Sequence, residues 1–166
     1  MEESKQDTIY SLYKKDSAIE VVLPGDSSNG YVYNNNGGSW LQANDSYNFD
    51  SDLIPLIKEI DGKESLLMSL QFSVSKSNSN SSYGGESSSS YTSYLLSWED
   101  GTEITSGTTC SNLYINLLNY DLEGNTAIRL TSSGGGSAMT GNWTNCAASF
   151  SASISDVVLT YKCFSN

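Results

Sequence analysis

Histidine is absent from the chain, and that absence excludes more chemistry than any residue present. Without imidazole there is no Ser–His or Cys–His nucleophile pair, no His-ligated metal and no histidine general base. Arginine occurs once, at Arg129, and the 8 basic residues face 19 acidic ones, for a net charge of −11. A nucleic-acid binder displaces counterions with clustered Lys and Arg, and no such cluster exists here. An anionic membrane surface is disfavoured on the same ground. No apolar run approaches the roughly 20 residues that a membrane helix requires, so membrane insertion is not expected. Neither a solenoid-type repeat nor a heptad pattern is visible.

Cysteine is scarce as well: Cys110, Cys146 and Cys163 stand far apart, with no C-x-x-C pair. Zinc is disfavoured by three scattered thiols and no histidine. An odd count permits one disulfide with a thiol left over, or none. A Cys146–Cys163 bridge closes the shortest loop and is the preferred pairing, with Cys110 as an alternative partner. The start of the chain, Met1 to Asp7, has neither the basic beginning nor the apolar stretch of a signal peptide. That fits a mature or excised domain given a starting Met, or a protein made in a cytoplasm and assembled into a particle.

Only 16% of the residues are charged, and the remaining polarity comes from Ser, Asn, Thr, Gly and Tyr. This composition suits a β-protein at an extracellular, cell-surface or virion-surface location. The length, 166 residues, is natural for a single domain spanning residues 1–166, with about two-thirds of its unfolded surface buried.

The strongest pattern runs from Ser65 to Trp98. Met68, Leu70, Phe72 and Val74 alternate with polar residues, and Thr92, Tyr94, Leu96 and Trp98 form a second alternating set spaced by Ser93, Leu95 and Ser97. Period-two alternation is the mark of a half-buried strand. Folding the chain back around Tyr83 sets Met68 opposite Trp98, Leu70 opposite Leu96 and Phe72 opposite Tyr94, which predicts a long antiparallel hairpin with a solvated tip. A second hairpin is expected near the end of the chain. There Ala148, Phe150, Ala152 and Ile154 alternate, then Val157, Leu159, Tyr161 and Cys163, around a turn at Ser155-Asp156. Further strands are predicted at 8–13, 19–23, 112–122 and 126–131, with a loop at Gly134-Gly135-Gly136. Leu53, Leu56, Ile57 and Ile60 fall at helical spacing, with Ser51 or Asp52 as a cap and Gly62 as a stop, so one short helix is expected there. Together these elements predict an all-β fold, an antiparallel β-sandwich of jelly-roll or Greek-key type with one short helix.

Three constellations carry candidate chemistry. Glu99, Asp100 and Glu103 cluster after the central strands, as a carboxylate pair would, but in so acidic a chain they read first as decoration of a turn, and no catalytic residue is assigned. Asp45, Asn48, Asp50 and Asp52, with Asn44 and Ser51 among them, offer the hard oxygen donors that calcium prefers, without EF-hand spacing. The same residues also suit an Asx-turn and helix cap. Finally, aromatics flank Asn/Gly loops: Tyr31, Tyr33 and Trp40 around Asn35, Trp143 beside Asn142, and Tyr83 at the expected hairpin tip. Such residues populate adaptable recognition surfaces, and an aromatic beside Asn is the usual composition of a sugar platform. Trp98 is assigned instead to the core on its alternation. Asn44, Asn80 and Asn142 also open matches to the N-glycosylation acceptor pattern.

The sequence therefore points to a non-enzymatic recognition domain. An adhesin, a viral or phage fibre head or a carbohydrate-binding module would bind a glycan or protein receptor in this way. Calcium is the one cofactor considered, and a homo-oligomer is expected, trimeric for a fibre head. The alternative is a structural assembly subunit, such as a capsid decoration or pilin-like protein. A pore-forming toxin inserting the arms of 66–98 as barrel strands comes third.

Overall fold

The computed structural model describes residues 18–81, 84–122, 124–142 and 144–163. The expected strand at 8–13, together with Tyr83 and Trp143, lies outside the described residues. Twelve strands follow in order: β1 (Ile19–Leu23), β2 (Asp26–Asn34), β3 (Leu41–Asp50), β4 (Ile54–Pro55), β5 (Ile57–Ile60), β6 (Lys63–Asn80), β7 (Ser87–Trp98), β8 (Glu103–Gly107), β9 (Cys110–Asn116), β10 (Ala127–Thr140), β11 (Cys146–Ile154) and β12 (Val157–Cys163). The described helix content is one 3-10 turn, Leu117–Asn119, capped by the Asn116 side chain.

Two antiparallel sheets pack face to face. In the first, β6 is the spine. Its one edge carries β12 along Ser65–Gln71 and β11 along Val74–Asn80, and its other edge carries β5 and then β9. Outside β11 and β12 lie β2 and β1. In the second sheet β10 is central, between β7 on one side and β3 with β4 on the other, and β8 completes the far edge. If β1–β2, β3–β4 and β11–β12 are each taken as one interrupted strand and the short β5 is set aside, the chain crosses between sheets in a fixed order. The first sheet reads first, eighth, third, sixth, and the second reads second, seventh, fourth, fifth. That double Greek key is the jelly-roll topology.

The expected register of the central pair takes a different form. β6 and β7 share no backbone ladder but belong to opposite sheets. The alternating apolar residues meet through the core: Phe72 and Tyr94 stack edge to face with ring centroids 5.5 Å apart at 77°. Alternation fixes which face is buried, and either lateral pairing or face-to-face packing satisfies it. The C-terminal pair is likewise no hairpin. β11 and β12 run end to end along one edge of β6, because Ser155 keeps the ladder alive at the break. Its N–H donates to the Ser73 carbonyl at 2.8 Å, and its Oγ accepts from the Ser73 N–H at 2.7 Å. The neighbouring β1–β2 strand breaks at the same level, where Gly25 N–H donates to Asp156 Oδ1 at 2.8 Å. A Cβ on Gly25 would fall 2.2 Å from the Ile154 carbonyl oxygen, so the paired breaks require glycine there.

The helix expected over 53–60 is strand. Ile57–Ile60 pairs with Lys63–Leu66 through a two-residue turn at Asp61-Gly62, both at positive φ (53° and 78°). Asp-Gly is the preferred chemistry of a tight hairpin, and it outweighs an apolar spacing that happens to match a helix. The Gly134–Gly136 stretch is also strand rather than loop, within β10. A Cβ on Gly134 would lie 2.4 Å from the Tyr47 ring, and one on Gly136 would lie 2.1 Å from the Ser89 carbonyl and 2.9 Å from the Phe150 ring. Glycine here lets aromatic rings of the core seat directly on the backbone. No disulfide joins Cys146 to Cys163 or either to Cys110. Cys146 begins β11 and Cys163 ends β12, so the collinear strands hold them apart by on the order of 50 Å of extended chain, far beyond bridging distance.

The main core joins residues of both sheets, among them Leu66, Leu67, Leu70, Phe72, Leu96, Leu117, Leu122, Ile128, Leu130, Leu159 and Tyr161. Trp98 packs against it half-buried, as expected from its alternation. Burial pushes the Tyr161 phenol up to about 12, and its hydroxyl donates to the Pro55 carbonyl at 2.9 Å. A smaller cluster of Val32, Ala138, Ala148 and Phe150 fills the opposite end. Because the Gly136 backbone touches both a strand carbonyl and the Phe150 ring, Gly136→Ala is expected to destabilise the chain by about 1–3 kcal/mol. A lowered urea midpoint at unchanged m-value checks this.

Candidate functional site at the loop end

Three connections converge at the Phe150 end of the sandwich: residues 35–40 between β2 and β3, 81–86 between β6 and β7, and 141–145 between β10 and β11. Asn34, buried at the end of β2, ties two of them. Its Nδ2 donates to the Ser39 carbonyl at 2.9 Å and to the Gly141 carbonyl at 3.0 Å, and its Oδ1 accepts from Gly37 N–H at 2.9 Å. Gly38 N–H adds a bond to the Asn142 carbonyl at 3.1 Å. Gly37 and Gly38 hold positive φ, 71° and 93°, which is the backbone conformation glycine supplies without strain. The third connection is tied through Ser81. Its N–H donates to the Ala147 carbonyl, its Oγ accepts from Ala147 N–H, and it donates to Glu86 at 2.6 Å.

Four of the expected ligand-binding residues lie on or next to these connections. Trp40 is 59% exposed at the end of the 35–40 loop. Asn35 and Asn142 are exposed in the 35–40 and 141–145 connections. Tyr33 lies half open on the outer face of β2, its hydroxyl donating to Asn145 Oδ1 at 2.7 Å. Tyr31 lies one pleat further along the same face and is 67% exposed, so it adjoins the loop end rather than belonging to it. Tyr83 and Trp143 fall within the same two connections, outside the described residues. Among the described residues, the three loops carry one carboxylate, Glu86, and no Lys or Arg. The surface is neutral, amide-rich and aromatic. Asn34 itself escaped the sequence reading, although an Asn three residues before a Gly-Gly pair is a legible Asx-turn signal.

The candidate calcium ligands do not converge. Asp45 and Asp50 are about 17 Å apart along β3 and face opposite sides of the sheet. Asp45 accepts from the Asn29 N–H on the β2 edge at 3.3 Å. Asp50 and Asp52 both turn to the single arginine, Asp50 Oδ1 at 3.1 Å from Arg129 Nε and Asp52 Oδ1 at 3.9 Å from Nη2. The closer contact is an ion pair that lies off the line of the N–H, and both partners are half exposed. Asn48 points outward from β3 beside Ser133 of β10. Among the described residues no three acidic or thiol side chains are grouped as a metal centre would need.

The carboxylates after β7 hold turns. Glu99 Oε1 accepts from the backbone N–H groups of Thr126 and Ala127, fastening the β7–β8 turn to the start of β10. Those bonds, Thr126 first, hold its carboxyl below the ordinary value of 4.5. Asp100 is lowered in the same way by the Thr102 N–H.

No family profile matches the chain, and no curated protein matches it. Among solved structures, the chain is similar to VP2 of infectious bursal disease virus in a subviral particle, with 14% identity, a TM-score of 0.29, and coverage of 91% of this chain and 43% of that one. The structure of the Gt strain of the same virus gives 14% identity, a TM-score of 0.30, and 91% and 41% coverage. The chain spans less than half the length of the chains it matches. At these values the likeness adds nothing to the strand order already described.

Two outcomes follow from this geometry. Asn34→Ala strips the hydrogen bonds from two carbonyls and an N–H beneath the loops, and is expected to cost about 2–3 kcal/mol, read as a fall in urea midpoint with faster amide exchange in 35–40. For Glu99, the lowered folded value means its bonds stabilise fully above pH 4.5 and are lost as pH falls through that lower value. The stability gap between wild type and Glu99→Gln, measured by urea unfolding, should therefore be widest at neutral pH and shrink in acid.

Proposed function

We propose that this chain is a non-enzymatic surface recognition domain that binds a glycan or protein receptor through the loop end, and that it works at an extracellular, cell or virion surface. The observation that supports this most directly is Trp40. A large aromatic costs water-exposed apolar area, and here it stands open on loops that Asn34 and Ser81 hold rigidly from below. A rigid aromatic beside neutral amides loses little entropy on binding.

A second reading, a structural assembly subunit, is favoured by the outer faces of the two sheets. On the first, Ser77–Ser151 and Ser75–Ser153 pair across strands at 2.7 and 3.1 Å; on the second, Ser89–Ser137 and Ser93–Ser133 pair at 3.1 Å. Such serine-paired patches suit repeated contacts between copies. The arms of β6 and β7, by contrast, spend their apolar faces on the core, which leaves the pore-forming reading without a free apolar face.

Arrays of glycans and of cell-surface proteins, probed with the whole chain, test the first reading. Retention is expected to fall about tenfold or more with Trp40→Ala while the urea midpoint stays within experimental error. A complete lack of any ligand whose retention falls with Trp40→Ala, or open-ended polymers by light scattering, would count for the assembly subunit.

A further inference from the structure

We propose that the outer face of β3, β10 and β7 is a second binding surface, a shallow trough for a neutral oligosaccharide with Tyr91 as its stacking platform. The loop end plays no part in it. Residues on this face stand in rows across the three strands: Asn44–Ser137–Ser89, then Ser46–Gly135–Tyr91, then Asn48–Ser133–Ser93. The middle row is the exceptional one. Its central position is Gly135, which is buried and sets no side chain between Ser46 and Tyr91. Beside it lies a depression of about 630 Å³ lined by Tyr91, Ser89 and Gly136 on the β7 and β10 side and by Asn44, Asp45 and Ser46 of β3.

Tyr91 is 51% exposed, although it sits in the middle of a strand within the sheet. The alternation places Thr92, Tyr94 and Leu96 in the core and so directs Tyr91 outward, where no neighbouring large side chain covers it. The last row leads into a second depression, of about 420 Å³, lined by Asn48, Asp50, Ser93, Leu95, Glu103 and Ser133. The rows succeed each other about every 6.7 Å along the strands.

The lining selects the ligand class. Asn44 and Asn48 each offer both donor and acceptor groups, and the paired serine hydroxyls at 3.1 Å keep outward lone pairs. The charged groups that line the two depressions, Asp45, Asp50 and Glu103, are all carboxylates, which accept hydrogen bonds from sugar hydroxyls. A polyanion would find no cation in the trough and would meet a chain of net charge −11. A peptide would need apolar recesses for its side chains, which a serine and glycine floor does not provide. A pyranose matches both features: an apolar C–H face for the Tyr91 ring and a rim of hydroxyls for the amides and serines.

The test applies the whole chain, and the variants Tyr91→Ala, Tyr91→Phe and Trp40→Ala, to immobilised neutral oligosaccharides of four to six units, comprising β-linked glucose, xylose, mannose and N-acetylglucosamine series. Retention of the wild type by at least one series is expected. Tyr91→Ala should weaken it about tenfold, while Tyr91→Phe and Trp40→Ala leave it nearly unchanged and all urea midpoints agree. Absence of any retention, or retention that ignores Tyr91→Ala, overturns the trough. Loss with Trp40→Ala alone also overturns it, and moves sugar binding to the loop end, leaving the recognition reading intact.

Discussion

The backbone N–H and C=O groups along β6 need partners on its two edges, and most find them. β5 and β9 occupy one edge from Lys63 to Val74, while the end-to-end pair β11 and β12 occupies the other from Ser65 to Asn80. The strand that follows in sequence does not add beside β6 but crosses to the facing sheet. There β10 is the central strand, and its two edges hold β7 and β3. The jelly roll is built on two central strands, each near saturation, whose apolar faces look at each other across one core.

That saturation explains which parts of the architecture could be read from the residues. Facing is a local property: Leu70, Phe72 and Phe150 alternate with polar neighbours, and each is buried. Partnership is not local. Phe72 and Tyr94 do meet, but ring against ring through the core, because period two says which side a residue faces and nothing about whether its neighbour lies beside or opposite. The breaks at Pro24-Gly25 and Ser155-Asp156 look like turns for the same reason. What makes them continuations is the Ser155 bonding to Ser73, residues far apart in sequence. Asp61-Gly62 misled in the opposite direction, since a hairpin turn and a helix stop share the same glycine.

The candidate surfaces divide along similar lines. Trp40 and the Asn/Gly loops stand out in composition, and the fold brings their loops to one end. Their support, Asn34, is legible only once its carbonyl partners are known. The acidic cluster of β3 illustrates the reverse, since closeness in sequence becomes divergence in a strand: Asp45 and Asp50 face opposite sides, and the lone arginine draws Asp50 and Asp52. Tyr91 reads as one tyrosine among many until Gly135 is placed next to it.

Asp45 has an effect that reaches beyond this molecule. A sheet that ends in an unpaired strand offers its open amides to any other extended chain, and proteins guard such borders with inward-turned charges. By accepting the Asn29 N–H from across the gap between β2 and β3, the Asp45 carboxylate occupies the place where an added strand would begin its ladder. That bond takes up one of the ladder positions on the β2 border. If copies of the chain associate through strand addition, the traffic is directed to the other side of the sandwich, where β8 and β9 run at the rim.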